Sequence, residues 1–162
     1  MPNIKGGVFL HIIYHCVGGA HSSTTAAAIH LGLLPMDYIP DMHDFLGVTF
    51  YDTLEKCDRG KVILRGRDEQ GHKVYTLGRQ FSPHLVIPAI QDMWHALGQS
   101  PDDLIIVNTL PTVNTLMRIG GFSSRRLHWV GFGRPIVIRG TRSTYMNIVK
   151  IVQHTKKKIN YY

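Results

Sequence analysis

A chain of 162 residues with 44% hydrophobic content is about one domain and long enough to bury a proper core. Charged residues make up 18%, below the usual ~25%, which excludes wholesale disorder. The formal charge of +7 and ten histidines point to anionic partners: nucleotide, phosphoprotein, nucleic acid or an acidic surface. Two cysteines, Cys16 and Cys57, make no disulfide framework, so a reducing compartment is expected. No apolar run approaches the ~18 residues of a membrane span. The first apolar run is broken by His11 and lacks a signal-peptide cleavage site. A soluble, cytoplasmic single domain over residues 1–162 is expected, with no membrane partner.

Met1 to Lys5 reads as a loose start. Val8 to Tyr14 is apolar and β-branched between two glycine pairs, which predicts a buried central strand. Ser23 to Leu33 is an alanine-rich helix ending near Gly32 and Pro35. Pro35 to Arg59 reads as irregular, with one or two short helices, one of them over Asp41 to Leu46 behind Pro40. Lys61 to Arg67 and Lys73 to Leu77 flank a turn containing Gly71 and predict a β-hairpin. Pro83 to Leu97 has near-helical apolar spacing, with Pro88 as a kink or first-turn residue. Asp103 to Thr109 is a second buried strand, and Pro111 to Ile119 a short helix stopped by Gly120 and Gly121. Arg134 to Arg139 (RPIVIR) reads as a strand, Thr141 to Thr155 as a last amphipathic helix, and the basic tail 156–162 as frayed.

Strands alternating with helices predict a three-layer α/β fold. The sheet is mainly parallel, of about four to five strands with a β-hairpin addition, and helices cover both faces. In such sheets ligands lie beyond the carboxyl ends of the strands. That rule groups three loops: Cys16 to Ser23, Asn108 to Thr112 and Gly140 to Ser143.

The stretch FLHIIYHCVGGAHSSTTAAAIHLGLL, Phe9 to Leu34, carries the strongest functional signal. A strand gives way to a glycine turn and then a helix. Backbone N–H groups at a helix N-terminus, reinforced by the helix dipole, favour an anion such as phosphate. Ser22 or Ser23 can cap the helix and donate to that anion. The expected ligand-binding residues are Gly18, Gly19, Ala20, His21, Ser22 and Ser23, with Thr112 and Arg142 at the rim. The spacing does not match the nucleoside-triphosphate loop G-x-x-x-x-G-K-[ST], since no lysine follows the glycines.

The loop is similar to the N-terminal loop of low-molecular-weight tyrosine phosphatases and related arsenate reductases. There a strand ends in cysteine, five residues follow, and then come arginine, serine and a helix. Cys16 matches the nucleophile, Gly18 a loop glycine and Ser23 the serine, whereas Ser22 stands where the arginine would. The loop also resembles that of sugar-phosphotransferase B components. The first resemblance implies Cys16 as the nucleophile. The missing arginine would then have to be replaced in space by Arg65, Arg134, Arg139, Arg142 or His21, because transition-state charge needs a fixed cation. No Asp-Pro-aromatic acid motif occurs near the C-terminus. Over nearly its full length the chain resembles a bacterial family of Firmicutes known only as a domain of unknown function. Ile12 to Leu33, Asp58 to Arg79 and Gly133 to Gly140 carry that resemblance, which implies a fold and no activity.

His11 and His15 are four apart in a strand, about 13 Å, too far for one ion. No C-x-x-C or H-E-x-x-H pattern occurs, so no metal site is assigned and no cofactor is named. Ser123 to Arg126 and Lys156 to Lys158 read as solvated basic runs. Nucleic acid is disfavoured as a partner, because no recognised module or interleaved aromatics accompany them. The sequence leads to binding of a phosphorylated small molecule or nucleotide at Gly18 to Ser23, with phosphoryl transfer or hydrolysis as a further step. Cys16 and His21 are the catalytic candidates. A cysteine-dependent phosphatase or phosphocarrier descendant, and a non-catalytic regulatory module, are the alternatives.

Overall fold

Strand β1 (His11–Cys16) is the third of four strands in an open sheet of order β2-β3-β1-β4. The computed structural model describes residues 9–119 and 130–159. β1 runs parallel to β3 (Lys73–Gly78) on one side and to β4 (Leu104–Asn108) on the other. The hairpin partner β2 (Val62–Arg67) is antiparallel to β3 and forms one edge. Gly71 closes the hairpin at φ +87, a left-handed conformation that glycine adopts at no steric cost. Helices α1 (Ser22–His30), α2 (Met42–Gly47), α3 (Pro83–Ala96) and α4 (Val130–Ile159) complete the fold.

Strand side chains alternate between faces. On one face Ile12 and Tyr14 of β1, Val74 of β3 and Ile105 of β4 are buried together with Ala26, Ala27, Ala28 and Ile29 of α1. Alanines let α1 lie close to the strands, and α4 seals this layer with Val137, Ile138, Tyr145, Ile148, Val149 and Val152. Each large side chain removed from water here contributes about 1.5–3 kcal/mol. The other face carries His11, Ile13 and Tyr75 under α3. The His11 ring stacks on Tyr75 at 5.7 Å and meets the Trp94 ring edge-on at 4.8 Å. None of the residues of α3 is fully buried, so that layer is much looser.

A polar chain crosses the dense face. The Tyr14 hydroxyl donates to His30 Nδ1 at 2.7 Å, and His30 Nε2 donates to Asp68 at 3.1 Å. Asp68 also accepts the N–H groups of Gln70 and His72, so the hairpin turn is tied to the core. Burial holds the His30 pKa down to about 4, against the pull of the Asp68 carboxylate.

The hairpin, α3, β4 and the irregular stretch before the hairpin agree with expectation. That stretch contains α2, capped reciprocally by Asp41 and Asp44, and a 3-10 turn at Lys56–Asp58. Four expectations are corrected. Arg134 to Arg139 is not a strand but part of the 30-residue helix α4. Its buried residues recur at three- and four-residue steps, Val137, Ile138, Thr141, Tyr145, Ile148, Val149, Val152, and the apolar ones among them share the core with α1. Gly140 is therefore no loop glycine. A Cβ there would lie 2.7 Å from the Met117 backbone nitrogen, so glycine permits a close crossing. Lys156 to Lys158 continue α4 and are not frayed. Pro111 to Ile119 divides into a 3-10 turn, Leu110–Thr112, and a helical stretch 115–119. Met1 to Lys5, Gly120, Gly121 and Ser123 to Arg126 lie outside the described residues.

Candidate functional site

The carboxyl ends of β1, β3 and β4 converge beneath the first turn of α1. The chain leaves β1 at Cys16, turns through Gly18 and Gly19, and enters α1 behind His21. Two glycines make the turn possible. Gly19 has φ +73, and a Cβ on it would sit 2.6 Å from the Gly78 backbone nitrogen. A Cβ on Gly78 would in turn sit 2.6 Å from the Gly18 carbonyl oxygen. The loop is thus pressed backbone to backbone against the end of β3.

One thiol and three hydroxyls organise the interior of the loop. The Gly19 N–H donates to Cys16 Sγ at 3.1 Å, and the Ser23 hydroxyl lies 3.3 Å from the same sulfur. The Thr24 hydroxyl donates to the Gly19 carbonyl at 3.0 Å. The Ser22 hydroxyl pairs with Thr109 beyond β4, which itself donates to the His15 carbonyl. The serines therefore brace the loop from inside rather than cap α1, and His21 occupies the capping position without a side-chain cap bond. Among the described residues no hydrogen bond reaches the N–H groups of Ser22, Ser23 or Thr24, and the buried Thr25 hydroxyl has no partner. These residues are buried, and solvent reaches the loop at Gly18 and at the 13% exposed His21 side chain.

A second layer reaches the loop from Asp52. Its N–H donates to the Ala20 carbonyl at 3.2 Å, and its carboxylate accepts from His21 Nε2 at 2.8 Å. The other carboxylate oxygen accepts from Arg134 Nε of α4 at 3.3 Å. His21 thus keeps Nδ1 as its remaining ring nitrogen, and a carboxylate fixes the ring. The Tyr51 ring packs on His21 at 5.7 Å, and its hydroxyl pairs with Thr141 of α4 at 2.9 Å. Asp52 has φ +53, a conformation that Asp tolerates better than most residues. Asp52→Asn keeps that tolerance and removes the charge. It is expected to lower the urea midpoint by an amount worth about 1–3 kcal/mol. An unchanged midpoint would show that the carboxylate does not hold the loop to α4.

On the opposite face of the sheet, beside the start of α3, Arg79 is buried, donating from Nε to His15 Nδ1 at 3.3 Å and from NH1 to the Gln80 carbonyl. Burial, and then the neighbouring guanidinium, push the His15 pKa down to about 4.

Gly18, Gly19, Ala20, His21, Ser22 and Ser23 thus sit in one loop with Cys16. Thr112 belongs to the adjoining turn, but its hydroxyl is spent on the Thr109 carbonyl. Arg142 is exposed on α4 and makes no hydrogen bond or ion pair with the loop among the described residues. Arg139 is likewise exposed. Arg65 reaches Thr76 and lies over Phe50 instead. Arg134 is the arginine that approaches, and Asp52 is the residue sequence reasoning missed. Only its place in a stretch rich in aspartates and aromatics hinted at it.

The fold and loop define an open α/β protein with a glycine- and serine-bearing turn behind its central strand. The chain belongs to the family described as protein of unknown function (DUF3189), which matches residues 11–157. No curated protein and no solved structure matches it.

Proposed function

We propose that the loop Gly18 to Ser23 binds the phosphate of a small molecule or nucleotide. The observation that carries this reading is the first turn of α1, whose N–H groups have no partner among the described residues and follow a glycine turn. Such a terminus favours a bound anion. Arg134, held at the loop through Asp52 and His21, supplies the cation absent from the position of Ser22.

A catalytic version is favoured by one contact, the Gly19 N–H on Cys16 Sγ. In that version the Cys16 thiolate attacks phosphorus and the ester oxygen leaves with a proton from His21. Water then attacks the thiophosphate, gives its proton back to His21, and releases phosphate and the thiolate. A cytoplasmic setting, which keeps the thiol reduced, suits this chemistry.

Calorimetric titration with inorganic phosphate, AMP and glucose 6-phosphate tests the binding. Saturable binding of at least one, weakened about tenfold in Arg134→Ala, is the expected result. No binding by any of the three sinks the reading. Turnover of para-nitrophenyl phosphate that disappears in Cys16→Ser supports the catalytic version, and unchanged turnover rejects it.

A further inference from the structure

The two edges of the sheet are built differently. β2 carries Arg65 and Arg67, and a register shift between Leu64 and Gly66. Charges and bulges of this kind keep an edge from pairing with another chain. β4, the opposite edge, reads Leu104–Asn108 without a charge, a proline or a bulge. Thr109 N–H donates inward to the His15 carbonyl. By the two-residue alternation of a strand, Val107 and Ile105 also turn their backbone groups toward β1, and Ile106 and Asn108 turn theirs outward.

A groove of about 410 Å³ runs along this edge beneath the second half of α4. Ile105, Val107 and Ile151 form its apolar floor, and the exposed Lys150, His154 and Lys158 form its rim. None of the three rim residues has an ion-pair partner among the described residues. From the start of β4 onward, residues 104–162 contain ten Lys and Arg and no Asp or Glu, and the nearest carboxylates in sequence are Asp102 and Asp103 just before the strand.

We propose that this groove receives an extended acidic segment of a partner protein, which adds as a strand to β4. The outward backbone groups of Ile106 and Asn108 pair with the main chain of the segment. Its alternate side chains fill the apolar floor, and its carboxylates meet Lys150, His154 and Lys158. Main-chain bonds give affinity and the side-chain row gives specificity in this mode of recognition. A peptide suits the groove better than nucleic acid, because no aromatic platform for bases lines it.

Fluorescence anisotropy of the full chain with a short labelled peptide of alternating Glu and Val tests this, with a Lys and Val peptide and oligothymidylate as comparisons. Selective binding of the acidic peptide is expected, with slowed amide exchange at Ile106 and Asn108. Lys150→Glu/Lys158→Glu, placed on the surface, is expected to weaken it about tenfold. No binding of the acidic peptide, equal binding of the basic one, preference for the oligonucleotide, or indifference to the charge reversal would each overturn the proposal.

Discussion

Gly19→Ala is expected to lower stability by about 2–4 kcal/mol, from a left-handed conformation that disfavours a side chain and from overpacking. The new methyl would meet the Gly78 nitrogen at 2.6 Å and its Cα at 2.8 Å, and both are backbone atoms. Neither can swing aside, because Gly78 lies in the ladder opposite Cys16. Gly78→Ala is expected to cost a similar amount by the reverse clash with the Gly18 carbonyl. Gly18→Ala is the control, since its Cβ would meet nothing within 4 Å. Thermal melts report the difference as a drop of roughly 4–16 °C for a chain of this size. Equal melting temperatures for the Gly18 and Gly19 variants would show that the loop is not pressed on β3.

Stability is expected to fall as the pH drops from about 6.5 to about 4, and His15 and His30 are the cause. Both are buried, with pKa values near 4 in the folded chain and the ordinary value of 6.5 when unfolded. Below pH 6.5 the unfolded chain takes up the two protons first, which favours unfolding. The stability is whole above that pH, and its loss is complete once the folded chain also protonates near pH 4. Each histidine accounts for a change on the order of 2–3 kcal/mol across this window. Urea titrations from pH 7 to 4 test it, together with His30→Gln. That variant is less stable at pH 7, because Tyr14 and Asp68 lose a well-placed partner. The difference between its stabilities at pH 7 and pH 4.5 is expected to shrink by roughly half, as one of two linked protons is gone. A flat profile in the wild-type chain would overturn this account.

Local patterns were legible wherever one residue period dominated. The passage from β1 through two glycines to α1 could be read from a β-branched run, small turn residues and an alanine segment. The hairpin followed from its two runs and Gly71. The segment Arg134 to Arg139 was misread because RPIVIRG ends in glycine and is rich in β-branched residues. Its helical phase emerges only when continued to Tyr145 and Val152, and the role of Gly140 depends on Met117, a neighbour in space. The loop residues themselves were visible, but their support was not. Asp52 lies 31 positions from His21, and Arg134 lies 82 positions from Asp52. Contacts of that separation leave no periodic trace. The burial of Arg79 against His15 is equally silent, although its place directly after β3 marks it as a strand-end residue.

The order of the strands also dictates when this chain can fold during its own synthesis. β1 emerges early, but both of its neighbours come from residues 73–78 and 104–108. The layer that closes over α1 is supplied by α4. Until the ribosome has delivered those later segments, Ile12, Tyr14 and the alanine face of α1 have no native cover. Pairing over such distances is slow, and uncovered apolar surface invites aggregation. The nascent chain therefore keeps this apolar surface uncovered until β4 and α4 have emerged.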